Sequence, residues 1–225
     1  MSFAFLSPEA SSPARSPMAD QTAAAGATYQ VRGGWEVAAS FGAPEAEAAA
    51  CAQAVGFADL SHLGKLELQG AVPDAALGAA RRTDEGWHCP ITPSRAFVLT
   101  SPDATATTRD RLGGDAGVHV LDVTANYGAM VIAGPLARET FARFCAIDLR
   151  DKVTPVHAFR PGSVARTPGY VLREAADRYL VLFGAAYGAY FWEIVDDAAR
   201  HLGGRPVGVD ALPAIAAAAE EAAHA

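Results

Sequence analysis

Two stretches of this chain repeat one order of residue types. Asp59-Leu60-Ser61-His62-Leu63-Gly64 leads into the alternating run Lys65 to Gln69, then Gly70 and, shortly after, Pro73. Asp122-Val123-Thr124-Ala125-Asn126-Tyr127-Gly128 leads into Ala129 to Ala133, then Gly134 and Pro135. Each reads as Asp, aliphatic, Ser or Thr, a short link, a bulky apolar residue, Gly, strand, Gly and a segment with an early Pro. So many types matched in order point to an internal duplication. Two like units must bury their apolar faces on one another. The expected class is α+β: duplicated β-α-β units whose antiparallel sheets are backed by helices.

The repeat also settles what Asp59, Ser61 and His62 are for. Together they hold the residue types of a hydrolase triad, but the second copy keeps only Asp122 and Thr124. Asp and Ser or Thr commonly bond nearby backbone N–H groups in turns, which explains both copies at once. Neighbours in an extended segment also point to opposite faces, so Ser61 and His62 are badly placed to meet. His62 has no counterpart and is the member left with a site-specific role. The glycines flank a strand and do not form a phosphate loop, since neither nucleotide-binding pattern is present.

Composition narrows the partners. The 225 residues include 18 Lys and Arg against 25 Asp and Glu, a net charge of −7. An acidic balance argues against nucleic acid or an anionic membrane as the main partner. Cys51, Cys89 and Cys145 are odd in number and far apart, which indicates neither a disulfide framework nor a zinc site and suits a reducing cytoplasm. No apolar run reaches the ~20 residues of a membrane span, and the N-terminal Ser/Pro/Ala stretch is a poor signal peptide. It reads as a flexible arm over residues 1–16, ahead of one domain over 17–210 and an Ala-rich tail over 211–225.

Periodicity and punctuation place the elements. A short helix, a Gly turn and an extended piece around Trp35 follow the arm. A helix runs from Glu45 toward Gly56. Leu66 to Gln69 alternate as a half-buried strand. Gly70 to Ala80 is expected as a helix with Pro73 in its first turn. Strands follow at Ala96 to Thr100, Ala129 to Ala133 and Arg178 to Gly184. Helices follow at Thr105 to Leu112, at Pro135 to Leu149 and from Ala185 to a stop at Gly203. His88 beside Cys89 reads as a surface His next to a buried Cys. Asp103 and Asp110, on the turn and helix after the Ala96 strand, are explained by a solvated face. Tyr187, Tyr190, Phe191 and Trp192 read as core or interface packing.

Four blocks then carry a resemblance: SPMADQTAAAGATYQVRGGWEV, VGFADLSHLGKLELQG, IAGPLARETF and ARTPGYVLREAADRYLVLF. In that order they are similar to the folate-binding core of the glycine cleavage T-protein, an aminomethyltransferase, over roughly Pro17 to Gly208. The resemblance implies tetrahydrofolate near His62, Leu63, Tyr127 and Tyr170, and offers Asp103 or Asp110 for the catalytic Asp. It places Arg173 where the family has a pterin-binding Glu, and a cation cannot accept the pterin N–H bonds. It leaves no room for the family's C-terminal β-barrel. The block from Arg166 to Gly203 resembles the shorter gamma subunit of heterotetrameric sarcosine oxidase. That implies a non-catalytic subunit beside larger flavin-dependent oxidase subunits or other one-carbon enzymes. A compact tetrahydrofolate-dependent aminomethyltransferase is the alternative, and a stand-alone folate-sensing domain is a third reading.

Overall fold

The computed structural model describes residues 12–70, 76–114 and 117–224. In chain order the elements are β1 (Ala14–Arg15), α1 (Ala19–Ala24), β2 (Thr28–Arg32), β3 (Trp35–Ser40), α2 (Pro44–Cys51), β4 (Gly56–Asp59) and β5 (Gly64–Gly70). Next come β6 (Arg81–Thr83), β7 (Gly86–Thr92), β8 (Arg95–Thr100), α3 (Thr105–Leu112), β9 (Val118–Asp122) and β10 (Tyr127–Ala133). The chain closes with α4 (Ala137–Ala142), β11 (Phe159–Val164), β12 (Thr167–Ala175), β13 (Arg178–Gly184), α5 (Gly188–Arg200), β14 (Arg205–Pro206) and α6 (Leu212–His224). The class is α+β.

Two sheets carry the architecture. One has the order β11-β12-β13-β10-β4-β14 and the other β6-β7-β8-β5-β9, while β1-β3-β2 is a small third sheet. The strands that precede the two Asp-led turns change sheets. β4 runs into the turn before β5 yet pairs with β10, and β9 runs into the turn before β10 yet pairs with β5. Asp59 lies opposite Met130 and Asp122 opposite Leu66. The hydrogen bonds are reciprocal. Asp59 Oδ1 accepts from the Ser61 N–H at 2.8 Å and Asp122 Oδ1 from the Thr124 N–H at 3.0 Å. Ser61 Oγ then accepts from the Ala129 N–H at 3.2 Å, and Thr124 Oγ1 from the Lys65 N–H at 3.0 Å. Each Ser or Thr therefore caps the other unit's strand.

The glycine that ends each repeat is dictated by φ. Gly70 sits at φ +125° and Gly134 at +122°, where a Cβ would strike a backbone carbonyl, of Gly117 in one case and Ala54 in the other. An L side chain pays a steric penalty there that Gly escapes.

Packing follows from strand alternation. Between the two large sheets, Trp87, Cys89, Phe97 and Leu99 meet Ala129, Val131, Leu172, Leu180 and Leu182. The other face of the six-stranded sheet packs Ile132, Val181 and Phe183 under Phe141 of α4 and Phe191, Trp192 and Val195 of α5. The Phe183 and Phe191 rings stack 3.9 Å apart. Leu66, Leu68, Ala96 and Val98 form a third cluster with Leu112 of α3. Each such side chain, once buried, contributes roughly 1.5–3 kcal/mol. At one end Glu47 is buried and accepts from Ser40 Oγ (2.9 Å), Phe41 N–H (2.8 Å) and Gly208 N–H (2.6 Å), tying α2 to the C-terminal segment.

Several sequence expectations shift. Residues 71–75 of the helix expected from Gly70 to Ala80 lie outside the described residues. The described remainder is no helix: Ala76 to Gly78 make a turn, and Ala79 bridges Ala158. Each unit contains three consecutive strands, β6-β7-β8 or β11-β12-β13, where a single strand was expected, so the β-α-β description is too simple. The helix expected from Pro135 to Leu149 is regular only over Ala137–Ala142. The helix expected to reach Gly56 stops at Cys51. Ala14 and Arg15, expected in the arm, add a parallel strand to β3. In the tail, Leu212 and Ile215 reach the inter-sheet core.

Candidate ligand site between the two sheets

β5 breaks the usual rule for an alternating strand. Leu66 and Leu68 turn outward under α3, so Lys65 and Glu67 face the space between the sheets, with Gln69 on the same side at its exposed end. The corresponding positions of β10 are Ala129, Val131 and Ala133, all apolar. The polar face of the first unit is thus internal, with Lys65 fully buried and Glu67 6% exposed.

Glu67 is held by Arg95 at the start of β8. Nε reaches Oε1 at 2.9 Å and a terminal nitrogen reaches Oε2 at 2.6 Å, a bidentate fork. Gln69 Nε2 donates to the same carboxylate at 2.7 Å. These donors hold the Glu67 carboxyl below the usual carboxylate range against the opposing effect of burial, and Glu67 in turn raises the Arg95 guanidinium.

Aromatic rings complete the wall. Phe97 meets Tyr127 at 5.2 Å and Tyr170 at 5.1 Å, both edge to face. Phe159 stacks flat on Tyr170 at 5.6 Å. The Arg95 guanidinium lies 6.0 Å from the Phe97 ring centre. Tyr127 and Tyr170 are half-buried, and burial pushes the Tyr127 hydroxyl up. Gln69 pairs with His119 and Glu67 with Leu121 across β9. Paired residues share a face, so the exposed His119 and Leu121 lie on this side of the edge strand. Flat rings with one fixed polar edge suit a planar ligand.

Lys65 closes the inner end. Its Nζ donates to the carbonyls of Leu63 (2.8 Å), Ser61 (2.9 Å) and Thr124 (3.3 Å), joining both Asp-led turns. Burial pulls its pKa down to about 8, against Asp59 and Asp122. No reading of residue types singled this lysine out. The available signal was a cation at a strand position whose counterpart is Ala129.

The other expected site residues scatter. Leu63 packs on the inter-sheet core. His62 is half-buried beside it in sequence, and burial, with Lys65 and Arg32 nearby, lowers its pKa to about 4, so it is neutral at pH 7. Asp103 is exposed, and Asp110 is exposed and paired with Arg109 at 3.0 Å. Among the described residues no hydrogen bond or ion pair joins either to Glu67, Arg95, Tyr127 or Tyr170. Arg173 lies on the opposite face of β12 from Tyr170. There it donates to Asp151 (2.6 Å), the Thr154 carbonyl (2.8 Å) and the Ala176 carbonyl (2.9 Å) and covers Tyr179. Its role is to hold two loops. A carboxylate on the Tyr170 side is Glu174, four residues along the alternating strand and just before its register shift. It accepts from Trp87 Nε1 at 3.0 Å and Arg178 Nε at 2.8 Å.

Among the described residues no helix is long and apolar enough to cross a membrane, and no cluster of three His, Cys, Asp or Glu side chains is arranged for a metal. No family model and no curated protein matches the sequence. Solved structures do match the fold. A chain of heterotetrameric sarcosine oxidase from Corynebacterium sp. U-96, in complex with pyrrole 2-carboxylate, is 20% identical at a TM-score of 0.64, covering 85% of this chain and 97% of that one. The glycine cleavage system aminomethyltransferase T from Bartonella henselae is 13% identical at a TM-score of 0.71, covering 88% of this chain and 60% of that one. The chain thus has the fold shared by a sarcosine oxidase chain and the glycine cleavage aminomethyltransferase.

Proposed function

We propose that this chain is a non-catalytic accessory subunit of a sarcosine oxidase-like, tetrahydrofolate-linked complex that oxidises amines and handles one-carbon units. The observation that carries this is the state of Glu67. It shares a strand-pair position with Phe97, and three bonds from Arg95 and Gln69 favour its ionised form. A general base works best with a pKa near the working pH, and the Glu67 carboxyl is held below the usual carboxylate range. The match over 97% of a chain from a hetero-oligomeric enzyme supports the same reading.

The residues fit a ring stacked near Leu63, Tyr127 and Tyr170. They do not fit a pterin anchored on a carboxylate, because Glu67 and Glu174 are both occupied and Arg173 faces away. We therefore derive no step through folate. The equivalent sheet orders and reciprocal turn bonds support descent of the two units from one duplicated ancestor. The alternative, a compact aminomethyltransferase, is favoured by the higher TM-score to that enzyme.

Two measurements separate them. Purification of the tagged chain from its host should return larger flavin-carrying chains. Calorimetric titration of the isolated chain with tetrahydrofolate should show no saturable binding below the near-millimolar range. A monomer that comes back alone and binds folate tightly would install the alternative.

A further inference from the structure

Two loops, one before β6 and one before β11, are stitched together. The Ala80 N–H donates to the His157 carbonyl at 2.7 Å, and the Phe159 N–H donates to the Gly78 carbonyl at 3.0 Å. Arg160 donates to the carbonyls of Gly78 and Val153. The two loops thus present one continuous surface.

That surface is apolar at its centre. Leu77 is 54% exposed, Val156 44% and Val153 38%. Its charge is one-sided. Residues 76–82 and 152–160 carry Arg81, Arg82, Lys152 and Arg160 and no carboxylate, in a chain where acids outnumber bases. The adjacent Asp151 is occupied by Arg173 at 2.6 Å and approached by Arg138 at 3.8 Å. Arg82 is steadied over the Trp87 ring at 5.0 Å. Among the described residues no carboxylate pairs with Arg81, Arg82 or Lys152.

Apolar side chains ringed by cations are the composition of a docking patch, in which the centre supplies affinity and the rim steers the partner. We propose that this face seats an acidic, apolar-centred surface of a larger partner chain. The charge selects that occupant. A second copy of this net −7 chain would bring like cations onto this rim, and an anionic bilayer would be repelled by the acidic remainder of the molecule. The inference rests on the accessory-subunit reading and adds to it the surface used.

The test is purification from the host of tagged wild type and two double variants, L77E/V156E and R81E/K152E, with V31E on the exposed β2 strand as the control. Each is first shown to melt as the wild type does. Both double variants are expected to return at least ten-fold less of the flavin-carrying chain identified with the wild type, and V31E to return the full amount. Wild-type complex should also dissociate increasingly as NaCl rises toward 0.5 M, the rim pairs being screened. Double variants that retain wild-type yield overturn the surface and leave the accessory reading standing. Wild type that returns no chain removes both. Self-association broken by the same substitutions assigns the face to a second copy, and binding of wild type to phosphatidylserine vesicles assigns it to a membrane; either result overturns the proposal.

Discussion

The two Asp-led turns share a backbone and differ in what lies beneath it. Both cap the opposite unit's strand with a hydroxyl, and both end in a glycine near φ +120°. The strand after the first turn then turns Lys65 and Glu67 inward, while the strand after the second turns Ala129, Val131 and Ala133 inward. The shared residues specify the fold, and the unshared ones specify what the first unit does with its interior. Substitutions that move residues of one unit toward the other sort these two roles.

The largest effect is expected at Lys65. Lys65→Met leaves the Ser61, Leu63 and Thr124 carbonyls without their donor, which should cost about 3 kcal/mol in urea unfolding. The pH dependence has a definite sign. The folded-state pKa of about 8 lies below the ordinary 10.5, so the unfolded chain binds more protons between those values. Below pH 8 the burial penalty is present in full. Stability should rise with pH through the window from 8 to 10.5, by up to about 3 kcal/mol in wild type relative to the variant. A neutral Lys65→Met would show that the ammonium does not tie the two turns, and a flat difference across that window would show that burial does not lower its pKa.

The ion pair should respond unequally to its two truncations. Arg95→Met strands the buried Glu67 carboxylate, at a cost of about 2–3 kcal/mol, whereas Glu67→Val, which installs the second unit's residue, leaves only a half-exposed guanidinium that water can reach, at about 1 kcal/mol. Glu67 has a depressed folded pKa, so its stabilisation is present above the unfolded carboxylate pKa and lost as pH falls through the folded value. The stability gap between wild type and Arg95→Met should therefore narrow as pH falls through the carboxylate range, because protonation relieves the stranded Glu67 in the variant. Equal costs for the two substitutions would mean that Glu67 is hydrated.

The hydroxyl caps test the likeness itself. Ser61→Ala orphans the Ala129 N–H and Thr124→Val orphans the Lys65 N–H, and each should cost about 1–2 kcal/mol. If the units are equivalent here, the two values agree within about 0.5 kcal/mol. A large disparity would confine the likeness to the backbone trace.

How much of this was legible depends on whether the signal was local. The turn bonds of Asp59 and Asp122 follow from residue type, because an Asx or hydroxyl side chain reaches only a few residues. The strands β8, β10 and β13 announced themselves by aliphatic runs. Over its described residues, 76–80, the helix expected after Gly70 is absent because an Ala-rich composition describes local propensity alone, which the bridge of Ala79 to Ala158 overrides. The sheet exchange of β4 and β9 could not be read at all, since pairing partners lie far apart in sequence. Alternation in Lys65 to Gln69 correctly gave a strand but assigned the polar side to water, because period two separates faces without saying which one a second sheet will cover. Arg173 was placed by matching the family's spacing after Tyr170, but strand alternation puts Arg173 on the opposite face and Glu174 on the Tyr170 face.

The smallest effects are expected at the two aspartates that the resemblance offered for catalysis. Asp103 sits in the 3-10 turn before α3, and Asp110 lies on that helix beside Arg109 in the surface ion pair already described. Exposed pairs of this kind contribute little because water and salt already solvate both charges. Asp103→Asn and Asp110→Asn should leave the unfolding midpoint, the recovery of partner chains and the response to tetrahydrofolate as in wild type. The same pair of substitutions also bears on the alternative enzyme. If the purified chain or its complex transfers a one-carbon unit, and Asp103→Asn abolishes that transfer while partner recovery stays intact, the aspartate works on a substrate delivered to the outer face of α3. The tyrosine wall would then be packing alone, and the internal polar face of the first unit would lose its claim to be the site.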